Sequence, residues 1–186
     1  KMVNEVQYKN YLDGLKQGKG YYQNGELINE EMDFTFKNYF SLEDQHYMLK
    51  ALIFPEYVPE EMRFNLSKED REMVLDYMSM YPWQSGFEEY QNKEKYPNNY
   101  VKYFYHKDME SESLKIFNKV GQAYGYLIDN AYITDADKGI EFLLSAIIYV
   151  NSDGIFNDDI YEYKEIGYPF MENLGRVIYN YCRELE

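Results

Sequence analysis

The sequence predicts an α+β domain: an antiparallel sheet of three strands or slightly more, a C-terminal helix packed on it, and a helical region preceding it. Three observations carry that prediction. Residues 113–151 hold three consecutive strand-like runs, Leu114–Gly121, Gln122–Ile133 and Ile140–Val150, with the turn Asp135-Ala136-Asp137-Lys138-Gly139 before the last. Pro169–Leu185 carries Phe170, Leu174, Val177, Ile178 and Tyr181 at helical spacing, with Pro169 suited to a first turn. Two capped helical patterns stand upstream, one opening at Ser41 and the other at Ser67.

Taken in order, residues 1–112 read as mostly helix and loop, and 113–186 as sheet plus helix. Together they form a single domain or the C-terminal portion of a larger one. The first dozen residues give a weak helical pattern. Asn24-Gly25 lies between strand formers, and both turn residues must reach positive φ, so a small peripheral hairpin is expected near 21–28. After Ser41, the acids Glu43 and Asp44 suit the positive end of a helix, Met48, Leu49, Leu52 and Ile53 form its apolar stripe, and Pro55 stops it. After Ser67, the residues Met73, Val74, Tyr77 and Met78 are spaced for one buried face, and Tyr81-Pro82-Trp83 ends the helix. Residues 84–112 are charged and loop-like, with a short helix near Tyr100–Tyr105, and read as a surface excursion. The third strand is apolar on both alternating faces, which predicts a central strand covered on both sides.

Composition narrows the function. Of 186 residues, 33 are Asp or Glu against 19 Lys or Arg, a formal charge of −14 that repels nucleic acid and anionic membrane. No run of 18 apolar residues occurs, so no membrane span is expected. The single cysteine, Cys182, lies in the last amphipathic pattern and reads as packing. Asn151-Ser152-Asp153-Gly154 resembles the opening of a calcium loop, but its glycine comes fourth instead of sixth, so a turn is expected and no metal site. The only histidines, His46 and His106, belong to no zinc motif, and no phosphate-binding glycine loop exists. No cofactor is implied. The 23 tyrosines are numerous enough to suggest either a half-wet core or a stacking surface for sugar or peptide.

The tripeptide Lys119-Val120-Gly121 closes the first strand in this reading. A strand-borne lysine places a cation at a groove, the glycine allows a substrate backbone to approach, and the N–H of Gln122 points at a developing oxyanion. Its setting resembles the C-terminal part of the serine β-lactamase and penicillin-binding-protein superfamily, in which a Lys-Thr/Ser-Gly motif ends a strand beside the active site. The resemblance is closer to a group of exported, β-lactamase-like bacterial serine hydrolases. It is carried by Ser41-Leu42-Glu43-Asp44-Gln45, Arg63-Phe64-Asn65-Leu66, Phe117 to Gly125, Ile148-Tyr149-Val150-Asn151 and Ile166-Gly167-Tyr168-Pro169-Phe170.

The resemblance implies acyl transfer on an amide or ester, a cell-wall peptide among the candidates, with Lys119, Gly121 and Gln122 binding substrate. It also implies an exported location. The family nucleophile is a serine followed three residues later by lysine, and Ser41, Ser67, Ser79, Ser85, Ser111, Ser113, Ser145 and Ser152 all lack that partner. Ser-Asp-Asn is also absent, and Val120 stands where the family has a hydroxyl. The expectation is a C-terminal portion of a longer hydrolase, inactive by itself, with an unpaired sheet edge that self-associates or is covered by the 21–28 hairpin. The alternatives are a non-catalytic, tyrosine-rich binding module for peptide or polysaccharide, and an interaction protein that uses its sheet edge.

Overall fold

A computed structural model describes residues 15–37 and 40–185, so the helical reading of the first dozen residues lies outside the described part. The strands Lys16–Gln17 (β1) and Met32–Asp33 (β4) pair antiparallel around the hairpin of Gly20–Gln23 (β2) and Glu26–Ile28 (β3). Asn24 and Gly25 both take positive φ, 52° and 84°, as an Asn-Gly hairpin turn requires. Helix α1 spans Leu42–Ile53 and helix α2 spans Lys68–Ser79. Their caps are Ser41 and Ser67, whose hydroxyls accept from the backbone N–H of Asp44 and Asp70, both at 3.0 Å.

The main sheet is Leu114–Ala123 (β5), Tyr126–Asp135 (β6) and Ile140–Tyr149 (β7), all antiparallel in the order β5-β6-β7. Ile155–Phe156 (β8) follows, and the chain ends in helix α3, Tyr168–Arg183. The α+β architecture with a C-terminal helix on the sheet is as expected. Two details of the strands differ. β5 runs on to Ala123, because the turn is Tyr124-Gly125 with φ of 55° and 81°; the tripeptide 119–121 therefore lies inside the strand. The central strand is β6, and β7 is an edge. β7 is apolar on both sides because α1 and α3 both contact it, and coverage of its faces does not require a strand on each flank.

The register divides the side chains cleanly. Leu114, Ile116, Asn118 and Val120 share a face with Leu127, Asp129, Ala131 and Ile133, and with Ile140, Phe142 and Leu144. Against this face lie α3 and Tyr103–Tyr105, with Phe104, Met109, Met171 and Tyr179 fully enclosed. The segment expected as a surface excursion thus supplies the centre of the core: Lys102–Tyr105 is buried. Its backbone can be there because its N–H groups find a carboxylate partner inside.

Helix α3 is rotated from its expected stripe. Phe170, Val177 and Tyr181 are exposed, while Met171, Gly175 and Tyr179 face inward with Leu174 and Cys182 beside them. Gly175 decides this, since a Cβ there would stand 2.0 Å from the carbonyl oxygen of Phe104, so only a glycine permits the approach. Helix α2 has no fully buried residue, and Met73 and Tyr77 are exposed. It lies beside β5 and is fastened by Arg71, whose Nε donates to Leu52 O at 2.8 Å and whose Nη2 donates to Ile53 O. The β2–β3 hairpin does not cover a main-sheet edge. It pairs in parallel with β8, and Phe34 packs edge-on to Phe156 and Tyr124 beneath it.

Candidate functional site

The two-residue turn makes Ala123 and Tyr126 a hydrogen-bonded pair, which sets the direction of every backbone group on β5. The N–H and C=O groups of Ile116, Val120 and Gln122 therefore point away from β6, toward the outer edge. At the first half of that edge a buried ammonium meets them, as Lys102 Nζ donates to Ile116 O at 2.7 Å and to Met78 O, from α2, at 2.9 Å. Further along, the Lys119 ammonium is exposed and donates to Val120 O at 2.6 Å.

Lys119 and Gly121 share one face of the sheet, whereas the Gln122 side chain lies on the other, where Oε1 accepts from Tyr168 OH at 2.5 Å. The three can meet a common ligand only at the strand edge, through the Lys119 ammonium and the Gln122 N–H. Gly121 also has an internal reason: a Cβ would stand 2.7 Å from Cγ2 of Ile128, its cross-strand neighbour. Val120 packs against the core on the opposite face from Lys119.

Behind this edge runs a buried polar chain. Lys102 Nζ donates a third bond, 3.0 Å, to Asn118 Oδ1, and Asn118 Nδ2 donates to Asp129 Oδ1 and to Val101 O, each at 2.9 Å. The other carboxylate oxygen of Asp129 accepts from the N–H of Tyr103 at 2.9 Å and of Phe104 at 3.4 Å. All three ammonium donors are thereby used. Burial pulls the Lys102 ammonium down to about 8, against the attraction of Asp129. Burial pushes the Asp129 carboxyl up to about 6, with the Asn118, Phe104 and Tyr103 donors opposing it. The neutral amide of Asn118 spaces the two charges and fixes the middle of the strand that carries Lys119. The sequence did carry a sign of this: Asn118 stands between the inward apolar residues Ile116 and Val120, and Asp129 between Leu127 and Ala131. Lys102, inside a loop, gave none.

A second polar group lies on the opposite face. His46 Nδ1 is 2.7 Å from Ser145 Oγ, a pairing of residues 99 apart that sequence spacing does not show. Its polarity follows from its neighbours. Asn130 Nδ2 donates to Gln45 O at 2.6 Å, so its Oδ1 faces Ser145 and accepts the Ser145 proton. His46 must then donate through Nδ1–H. A nucleophilic serine needs the reverse, an imidazole accepting its proton. This arrangement fastens α1 to the sheet and does not activate the hydroxyl.

A third cluster surrounds Asp135, which accepts from the hydroxyls of Ser111 (2.8 Å), Ser113 and Tyr179 with Lys138 Nζ at 3.4 Å. Burial acts to raise this carboxyl, but the Ser113, Tyr179 and Ser111 hydroxyls and the Lys138 charge together hold it down to about 2. These bonds join α3 to the start of β5 and the end of β6, which lie side by side at one end of the sheet. Among the described residues no group of three or more His, Cys, Asp or Glu side chains could hold a metal, and no helix is long and apolar enough to cross a membrane.

No protein-family model, no curated protein and no solved structure matches the chain.

Proposed function

We propose that this chain is the C-terminal portion of a β-lactamase-like bacterial serine hydrolase, in which the outer edge of β5 is one wall of an acyl-transfer site. The observation that supports the reading is the direction of the backbone there. Val120 C=O and Gln122 N–H face outward beyond the part of the edge that Lys102 closes, with the Lys119 ammonium beside them. An amide or ester laid along this edge as an added strand meets a donor, an acceptor and a cation within three residues. The succession of three antiparallel strands and a helix packed on them agrees with the same reading.

On this proposal the nucleophile and its lysine lie outside these 186 residues, the substrate is of cell-wall-peptide type, and the location is exported. The β7 edge, which has no strand partner among the described residues, is a further pairing surface. Self-association through it would appear in sedimentation as a mass that rises with concentration.

The test is a titration of the ¹⁵N-labelled chain with an N-acetylated dipeptide bearing a free carboxylate. Amide shifts concentrated at Val120–Ala123, weakened about threefold to fivefold by Lys119→Met as expected for loss of one exposed charge pair, support the reading. Shifts elsewhere, or an unchanged affinity in the variant, overturn it.

A further inference from the structure

Beyond the hydrolase reading, we infer a second binding site: the aromatic cleft formed by the chain after α2, the 98–105 segment and the start of β5, which takes the cationic side chain of an arginine- or lysine-bearing peptide. The cleft measures 320 Å³ and is walled by Tyr81, Trp83 and Tyr105. Tyr81 and Trp83 lie parallel, 6° between planes and 6.3 Å between ring centres, and Tyr105 meets Tyr81 edge-on at 6.1 Å.

Three observations decide the ligand's charge. Glu110 and Glu112 line the cleft, both exposed and neither in an ion pair with another described residue. The cleft's amides are already committed: Asn98 accepts from Trp83 Nε1 at 3.1 Å, and Gln84 Oε1 accepts from Tyr81 N at 2.8 Å. The charged acceptors of the cleft are the two carboxylates, which suit a ligand rich in N–H donors. Finally, the same rings already hold cations of the chain itself, with Lys93 Nζ 3.8 Å from the centre of Trp83 and Lys102 Nζ 5.6 Å from that of Tyr81. Burial, helped by Tyr105 and Glu110, pushes the Tyr81 phenol up to about 12, so it stays neutral and presents its ring face. The opposing charges are Lys115 on the rim and the Lys93 and Lys102 ammoniums at the rings, of which Lys115 is the one that lines the cleft. The overall charge of −14 favours the encounter with a basic peptide.

Trp83 is the only tryptophan, so its fluorescence reports the cleft directly. The experiment titrates the chain with diarginine amide, with diglutamate, and with a neutral chitin tetrasaccharide. Saturable quenching by diarginine amide alone is expected, weakened at least fivefold by the double substitution Glu110→Gln/Glu112→Gln and tightened about twofold by Lys115→Gln. The pair Glu60→Gln/Glu61→Gln, exposed elsewhere on the same acidic surface, should change nothing. Saturation by the saccharide and not by diarginine overturns the cationic assignment. Equal weakening by both glutamate pairs reduces the effect to general charge attraction and overturns the site.

Discussion

Gly175→Ala offers the sharpest reading of how this core is assembled, because two effects of opposite sign compete. In an exposed helix interior the change stabilises by about 1 kcal/mol. Here the new Cβ would lie 2.0 Å from Phe104 O and 2.8 Å from Phe104 C and Cβ. A carbon against a carbonyl oxygen needs about 3.3 Å, so α3 and the 102–105 segment must separate by more than about 1 Å. That segment cannot give way cheaply. Its N–H groups at Tyr103 and Phe104 are held by Asp129, and Lys102 beside them is held by three acceptors. Overpacking costs about 1–3 kcal/mol, and loosening a hydrogen bond to a charged group adds about 1.5–3. After the propensity gain the net loss is about 1.5–5 kcal/mol. Urea unfolding followed by Trp83 fluorescence and by far-ultraviolet dichroism measures it. In a melt the same loss lowers Tm by roughly 3–20 °C. A variant as stable as the parent, or more stable, would refute the contact geometry and leave only the propensity effect.

Two other outcomes follow from the buried polar groups. Asp129, at about 6 in the folded chain against 3.8 for an ordinary carboxyl, keeps a proton between pH 4 and 6 that the unfolded chain has released, so its contribution makes stability fall as pH rises through that window, by up to about 1.4 kcal/mol per unit. Asp135, held to about 2, acts in the opposite sense: its contribution is complete above pH 4 and is lost as pH falls toward 2. Unfolding profiles of Asp129→Asn and Asp135→Asn, each subtracted from the parent, should slope in opposite directions in these two windows, and parallel profiles would contradict the assignment. A fluorescent acylating probe for serine hydrolases should leave Ser145 unmodified, since its proton is directed to Asn130 and His46 faces it as a donor. Mass-spectrometric detection of an adduct at Ser145 would reverse that polarity.

Much of the fold was legible in short-range patterns. Ser41 and Ser67 announced their helices because capping is local chemistry, and Asn24-Gly25 announced its hairpin because the positive φ of a tight turn narrows the residues that tolerate it. The Tyr124-Gly125 turn went unread because a tyrosine at φ 55° is unusual; its ring is held by Phe34 and Phe156, which are distant in sequence. The buried stripe of α3 was misplaced for a related reason. Periodicity ranks side chains by hydrophobicity, and Gly175 faces inward to make room for a backbone instead of burying apolar surface.

The candidate site divides along the same line. Lys119, Gly121 and Gln122 were readable as a strand tripeptide and its neighbour, and alternation alone places Lys119 and Gln122 on opposite faces. That their meeting point is the outer edge of β5 depends on the Tyr124-Gly125 turn, which sets the hydrogen-bond phase of the whole strand. The Lys102–Asn118–Asp129 chain, the His46–Ser145–Asn130 group and the Trp83 cleft join residues from separate elements, and no spacing rule reports such encounters. The sequence by itself determined the α+β class, the helix starts and the run of three strands, since each rests on contacts or dihedral limits within a few residues. Only the tertiary structure decided which strand is central, which face of α3 is buried and which polar groups meet, because those outcomes depend on how closely distant backbones approach.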